Sequence, residues 1–279
     1  MKKNKLTTII IALVVLGGMM ISCCSSKNKS VDVATESKPS FTPVSVTTPT
    51  TITFPSKDGI LITADLYMAY PETAPLILLC HRANWSRGEY LEIAPKLNLK
   101  GFNAIAIDQR SGKTKNNIDN ATTAAAKAAG KPTSFVDAEQ DIQAAIDYVK
   151  ANYAKGTFIL WGSSYSSSLS LVLAKSNSDK IDAVMAFSPG EYFSDQGKAS
   201  DWIATEAAGI NMPVFISSKN SESVDVNPIY NVIPSTNKTY YLPSSESKHG
   251  SEALYDSNEV SVWTWMAVDK FLAPLATKR

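Results

Sequence analysis

Five short apolar runs dictate what this chain can become: Leu76-Ile-Leu-Leu-Cys80, Ala104-Ile-Ala-Ile107, Phe158-Ile-Leu-Trp161, Ala183-Val-Met-Ala-Phe187 and Val214-Phe-Ile216. They are continuous rather than alternating, which suits strands covered on both faces, as in a parallel sheet packed between helices. Thr239-Tyr-Tyr-Leu242 is a sixth candidate. Helical patterns fill the gaps. Residues 89–100 stop at Gly101, a natural C′ residue. Residues 138–150 carry Ile142, Ile146 and Val149 at helical spacing, with Ser134 or Asp137 placed to cap the start. Residues 261–271 present Val262, Trp263, Met266 and Phe271 as a packing face. Ahead of the first run, residues 51–54 and 60–67 flank Asp58-Gly59 and read as an antiparallel hairpin. The sum is an α/β domain with a mostly parallel, doubly wound sheet and an antiparallel N-terminal hairpin. Its ligand site belongs at the carboxyl ends of the strands.

One strand ends abruptly. After Phe158-Ile-Leu-Trp161 the chain switches to Gly162-Ser-Ser-Tyr-Ser-Ser-Ser168, then resumes as Leu169-Ser-Leu-Val-Leu-Ala174, which reads as helix. A strand, a tight turn with a hydroxyl at its tip, and a helix make up a nucleophile elbow of pattern G-x-S-x-G, with Ser166 in place of the second Gly. The apex residue of such a turn is strained and exposed. The residues two before and two after it lie where strand and helix nearly touch, so they must be small. Gly162 and Ser166 meet that need around Ser164, the candidate nucleophile. The alternative is a serine-rich loop without chemistry.

A serine hydroxyl is a poor nucleophile at neutral pH and needs a base, itself oriented by an acid. The chain has two histidines. His249 lies in the polar loop Ser247-Lys-His-Gly-Ser251, past the last strand, and fits the order Ser, acid, His. His81 directly follows the first apolar run and comes too early. The acid is expected after residues 214–216, in a loop that offers Glu222 ahead of Asp225. Glu191, one strand earlier, ranks third. A tetrahedral intermediate also needs two backbone donors. Tyr165 supplies one, and the loop His81-Arg-Ala-Asn-Trp85 the other, with Ala83 favoured over Arg82. Arg87 and Glu89 read as a surface pair near the pocket mouth, and Trp161 and Trp202 as packing residues. Residues 111–131 form a polar, Ala-rich excursion in which residues 121–129 make a short surface helix. The segment 187–212 is short and leaves no room for a large lid.

Together Ser164, Glu222, His249, the His81-Arg82-Ala83 loop and Asp108-Gln-Arg-Ser-Gly112 resemble the α/β-hydrolase superfamily over residues 51–279. The likeness is greatest to its small dienelactone-hydrolase-like and esterase members. In many of these, His-Gly-x follows the third strand and Asp-x-Arg-Gly-x-Gly the fourth; Arg82, Gln109 and Ser111 depart from that pattern. The resemblance implies an α/β-hydrolase fold and hydrolysis of a carboxylic ester, a small molecule, through an acyl-enzyme. Ser164 would attack, His249 take its proton and Glu222 hold the imidazole, with no metal or organic cofactor. The same triad would also serve an amide or peptide bond. A binding lipoprotein that keeps the fold without activity is the third reading.

The remaining sequence bears on location. A net charge of +1 gives no electrostatic footprint for nucleic acid. Three cysteines, two of them adjacent, cannot build a disulfide framework, and Cys80 reads as a small buried hydrophobe. Lys2, Lys3 and Lys5 precede an apolar stretch, residues 6–21, that is shorter than the ~20 residues a spanning helix prefers. It ends in Met20-Ile-Ser-Cys23, which resembles the lipobox of bacterial lipoprotein signal peptides. That resemblance implies a signal peptide over 1–22, lipid on Cys23 with Cys24 the weaker candidate, and a tether over 23–50. The domain at 51–279 would then sit on a membrane of the bacterial cell envelope, outside the cytoplasm.

Overall fold

The computed structural model describes residues 42–276. The expected signal peptide, Cys23 and most of the tether fall outside these residues. The strands are β1 (Thr50–Pro55), β2 (Leu61–Tyr67), β3 (Leu76–Cys80), β4 (Asn103–Ile107), β5 (Thr114–Lys115), β6 (Ile118–Asp119), β7 (Phe158–Ser163), β8 (Ala183–Phe187), β9 (Val214–Ser217) and β10 (Lys238–Tyr241). Eight of them form one sheet in the order β1-β2-β4-β3-β7-β8-β9-β10, and β5 and β6 pair separately. β1 and β2 are antiparallel to each other, and β2 to β4; every other pairing in the large sheet is parallel.

The uninterrupted apolar runs follow from the two covered faces. Side chains alternate across a strand. On β7, Phe158 and Leu160 enter one core with Leu76, Leu78 and Cys80 of β3. Ile159 and Trp161 enter the opposite core with Ile77 and Leu79. The first core is closed by α3 (Glu139–Asn152), α4 (Tyr165–Ser176), α5 (Trp202–Ala207) and α6 (Ser223–Val232). The second is closed by α1 (Ile93–Leu99) and α7 (Ser261–Leu272). α2 (Ala121–Ala128) caps β2, where the Thr122 hydroxyl accepts the Thr63 N–H at 3.0 Å. This is a doubly wound α/β sheet with an antiparallel N-terminal hairpin, and only one short turn and α5 stand between β8 and β9.

Four local expectations are corrected. The helix expected at 89–100 is a 3-10 turn, Arg87–Tyr90, followed by α1. Glu89 and Tyr90 are buried in that turn, and the Tyr90 hydroxyl donates to the Cys80 carbonyl. Pro95 stands in the first turn of α1, where a missing N–H costs nothing. Neither Ser134 nor Asp137 caps α3; they bond to each other ahead of a 3-10 turn that runs into the helix. On α7 the packed stripe is Ser261, Thr264, Trp265, Val268, Phe271 and Leu272, and Trp263 is 57% exposed alongside Val262 and Met266. Trp265 is drawn inward by its indole N–H bond to the Leu254 carbonyl at 2.9 Å. The last residues assigned to the tether lie on the domain: Val44 N–H donates to the Tyr70 hydroxyl and Val46 N–H to Asn98 Oδ1. Among the described residues no helix is long and apolar enough to cross a membrane.

The parallel register puts the carboxyl ends of β3, β7, β8, β9 and β10 along one rim. Cys80 pairs with Gly162, Ser163 with Phe187, Phe187 with Ser217, and Ser217 with Tyr241. The chain leaves β3 for β4 on one side, and β7 takes the other, so the strand order reverses beside β3. Ligands of open α/β sheets bind at such a reversal.

Candidate active site

Ser164 joins β7 to α4 with φ 59° and ψ −128°, a conformation that L-residues rarely hold. Strain of this kind costs about 1–3 kcal/mol and persists only where the surroundings impose it. Here they do. A Cβ on Gly162 would lie 2.4 Å from the Ser166 carbonyl oxygen and from Ser167 Cα, so strand and helix backbones touch through that glycine. Ser166 fits opposite because its hydroxyl has partners: it accepts the Ser163 N–H at 2.9 Å and reaches the Cys80 carbonyl at 2.8 Å. Ser167, Ser168 and Ser170 bond to the carbonyls of Ser164, Gly190 and Ser166. The serine-rich stretch thus spends its hydroxyls on holding the turn and leaves Ser164 at the tip, 8% exposed.

His249 follows β10 and meets Glu222 from the turn after β9, with Nδ1 2.5 Å from Oε1. Burial works to raise the Glu222 carboxyl, but bonds from His249 and Ser188 and the charges of His249 and Lys219 outweigh it and hold the group below the usual carboxylate range. The Ser188 hydroxyl donates to the other oxygen, Oε2, at 2.6 Å and accepts the Gly250 N–H at 2.9 Å. One serine therefore braces both Glu222 and the loop of His249. Gly250 brings that loop to the elbow: a Cβ there would fall 2.4 Å from Ser163 Oγ and 3.7 Å from Ser164 N. Of the three candidate acids only Glu222 touches His249. Glu191 accepts the N–H groups of Ile203 and Ala204 and caps α5, while Asp225 sits in the first turn of α6.

On the far side of the elbow, the loop after β3 is pinned by His81. The ring is buried, which pushes its pKa down, and Nδ1 lies 2.8 Å from the Arg82 carbonyl. Nε2 is 2.9 Å from the Asn120 amide nitrogen, a neutral tautomer with a structural role. Arg82 N–H donates to Glu89 Oε2 at 2.7 Å and is occupied. The Ala83 N–H, by contrast, makes no hydrogen bond among the described residues. Tyr165, the first residue of α4, has no helical partner for its N–H either. The Arg82 guanidinium turns away to Glu252 and the His249 carbonyl and lies over Trp85.

The expected surface pair of Arg87 and Glu89 does not form. Arg87 binds Asp65 and Asp108 at 2.9 and 2.7 Å. Glu89 is fully buried behind the elbow and accepts the Ser163 hydroxyl at 2.6 Å. Burial pushes its carboxyl up to about 7 against the opposing pull of Ser163 and Arg82. Sequence reasoning missed Glu89 and Ser188 as parts of this site. Ser188 did leave a signal, since it follows β8 as Ser164 follows β7, and it too has a positive φ, 56°. Glu89 left none.

A cavity of about 480 Å³ flanks Glu222 and Tyr192, with Glu191, Asp201 and Asp225 in its wall. The Tyr192 hydroxyl donates to the Ser188 carbonyl. Burial and the Glu222 carboxylate raise this phenol above its ordinary range, while the neighbouring Ser164 hydroxyl acts in the opposite direction.

Solved structures share this architecture. An esterase of Pyrococcus furiosus superposes with a TM-score of 0.60 at 18% identity, covering 82% of this chain and 93% of its own. A dienelactone hydrolase from Anabaena variabilis gives 0.63 at 11% identity, covering 82% and 98%. Est1E from Butyrivibrio proteoclasticus, with ferulic acid bound, gives 0.62 at 16% identity, covering 81% and 100%. At such identities the likeness speaks for the fold. No curated protein matches the sequence. A family model described as serine aminopeptidase, S33 (Hydrolase_4) matches residues 71–274, and the chain belongs to that family of α/β-hydrolases.

Proposed function

We propose that the chain is a serine hydrolase that cleaves a carboxylic ester through an acyl-enzyme, with Ser164 as nucleophile, His249 as base and Glu222 as the orienting acid. The observation that carries this reading is the bonded Glu222–His249 pair on a loop whose next residue, Gly250, abuts the elbow at Ser163 and Ser164. Ser164 Oγ attacks the ester carbonyl as His249 Nε2 takes its proton. Glu222 accepts from Nδ1, which fixes the tautomer and stabilises the imidazolium. The carbonyl oxygen becomes an oxyanion and receives the N–H groups of Ala83 and Tyr165; each such donor contributes about 3 kcal/mol to transition-state stability. The imidazolium then protonates the leaving alkoxide. Water repeats the sequence on the acyl-enzyme and frees the acid.

A fluorophosphonate probe tests this directly. Wild-type protein is expected to label, Ser164→Ala not at all, and His249→Ala far more slowly. A folded wild-type protein that stays unlabelled would sink the enzyme reading in favour of a binding lipoprotein.

An amide or peptide bond is the second reading. The cavity beside Glu222 favours it, because Glu191, Asp201 and Asp225 would suit a substrate carrying an amine. Comparing p-nitrophenyl esters with aminoacyl p-nitroanilides decides between the two, and the ester reading expects short acyl esters to turn over fastest. Location is a further part of the proposal. The Met20-Ile-Ser-Cys23 pattern supports lipid on Cys23 and residence on a membrane of the cell envelope. Incorporation of a labelled fatty acid should be lost in Cys23→Ala, and incorporation that persists there rejects the assignment.

A further inference from the structure

Behind the elbow lies a buried chain of hydrogen bonds that the hydrolytic steps do not use. Its centre is Glu89. One carboxylate oxygen, Oε2, accepts the Arg82 N–H at 2.7 Å, one residue before Ala83. The other, Oε1, accepts the hydroxyl of Ser163 at 2.6 Å, one residue before Ser164. Ser163 Oγ in turn accepts the N–H of Ser251 at 2.9 Å, two residues after His249. The Ser251 hydroxyl accepts the Trp161 indole N–H, and the Tyr255 hydroxyl donates to the Glu89 carbonyl.

We propose that Glu89 is a positioning residue for hydrolysis, its carboxylate fixing the oxyanion loop, the nucleophile elbow and the base loop to one another at a single point. The inference rests on the serine-hydrolase reading of Ser164, His249 and Ala83. A carboxylate suits the geometry: Oε2 faces the Arg82 N–H and Oε1 the Ser163 hydroxyl, whereas a protonated acid or an amide keeps one acceptor only and would force Ser163 to reverse its bond. A side chain serving only to fill space there would be apolar, since a buried carboxylate is costly unless its bonds repay the loss of water.

The groups around it set when the acceptor pair exists. Arg82 and Lys115 are the nearby cations and favour the ionised form. Cys80, Tyr90, Tyr165 and Tyr255 also face it and are held neutral by burial, with pKa values above their ordinary ones. Burial wins over the cations and moves the carboxyl up to about 7. Above neutrality the ionised carboxyl accepts from both Arg82 and Ser163, and a proton on Glu89 removes or reverses one of those bonds.

The test compares fluorophosphonate labelling rates of wild type and Glu89→Gln across pH, with hydrogen exchange followed at the Arg82 and Ser251 amides. At pH 8 the variant is expected to label about tenfold more slowly, the scale of a small misplacement of reacting groups. By pH 5 the two rates should converge, because wild type has then lost its own acceptor pair. A role confined to stability would not make the ratio depend on pH in this way. Ser163→Ala cuts the same chain from the other side, so its effect should match, and the double variant should be no slower than either single one. Ser163→Ala alone decides the matter if Glu89→Gln folds poorly: labelling at the wild-type rate at pH 8 overturns the inference. Equal labelling of wild type and Glu89→Gln at pH 8 overturns the inference. So does unchanged exchange at both amides, whether or not wild type labels. Failure of wild type to label strikes the serine-hydrolase reading instead.

Discussion

The elbow and the Glu222–His249 pair are positioned in opposite ways. Much of what shapes the elbow lies within a few residues of Ser164, with Cys80 and Glu89 adding bonds to Ser166 and Ser163 from afar. Gly162 meets Ser166 and Ser167, Ser166 meets Ser163, and Ser167 bonds back to Ser164 itself. The His249 loop has local support in the 3-10 turn Gly250–Leu254 and the Asn258–Ser247 bond, but it leans more on remote partners. Gly250 is held by Ser188, Ser251 by Ser163 and the His249 carbonyl by Arg82, partners that are 62, 88 and 167 residues away in the chain. A turn built largely by local backbone geometry depends first on its own strand and helix. The Glu222–His249 pair, delivered by distant bonds, requires the whole rim of the sheet to be in place. The first should therefore fail through stability, the second through activity.

The largest expected effect tests the distant half. Glu222→Gln keeps the fold but removes the charge proposed to orient His249, so kcat should fall by about 10⁴-fold while the unfolding midpoint drops only slightly. A mild loss here, with a crippling one in Asp225→Asn, would reassign the acid. Gly162→Ala tests the local half. The added methyl meets backbone, which cannot rotate away, and chemical denaturation should show a loss of about 3 kcal/mol or more. A Gly162→Ala variant as stable as wild type would remove the steric account of the elbow.

Glu89 spans both halves, and its stability effect has a defined sign. Its folded pKa of about 7 lies above the ordinary value of 4.5, so the native state holds the extra proton between them and wild-type stability falls as pH rises through that window. Glu89→Gln lacks this slope. Its stability relative to wild type should improve by roughly 3 kcal/mol from pH 4.5 to pH 7 and then level off, as read from urea midpoints at each pH. A flat difference would mean that Glu89 titrates normally. The smallest effect is expected at Ser188→Ala, which takes one bond from Glu222 and one from Gly250. A fall of about tenfold in kcat with little change in KM is the outcome to look for, and a change in KM alone would place Ser188 in substrate binding instead.

The same contrast explains what could be read from the chain. The sheet was legible because strands covered on both faces write themselves as unbroken apolar runs, and the antiparallel hairpin announced itself through Asp58-Gly59. Ser164 was legible because small residues must flank it at fixed spacing. Glu222 and His249 could be ordered along the chain, but their contact depends on β9 and β10 ending on the same rim. Glu89 was out of reach: in Ser86-Arg-Gly-Glu-Tyr90 it looks like the charged start of a surface helix, and Ser163, the partner that explains its burial, is 74 residues away. The face of α7 went wrong for a related reason. Val262, Trp263 and Met266 recur at helical spacing as well as Trp265 and Val268 do, and the tie is broken by partners remote from the helix pattern, the Leu254 carbonyl that receives the Trp265 indole and the Lys96 and Lys100 ammonium groups over its ring.

Trp161 stacks on Phe187 beneath the rim and hands its only polar atom to Ser251, on the loop that carries His249. The molecule therefore contains its own optical gauge. An indole held dry emits at shorter wavelength than one reached by water, so in a variant that keeps Trp161 and replaces the other four tryptophans, displacement of the His249 loop is expected to register as a red shift in emission. A displacement of that loop would then be read by light, without attaching a dye.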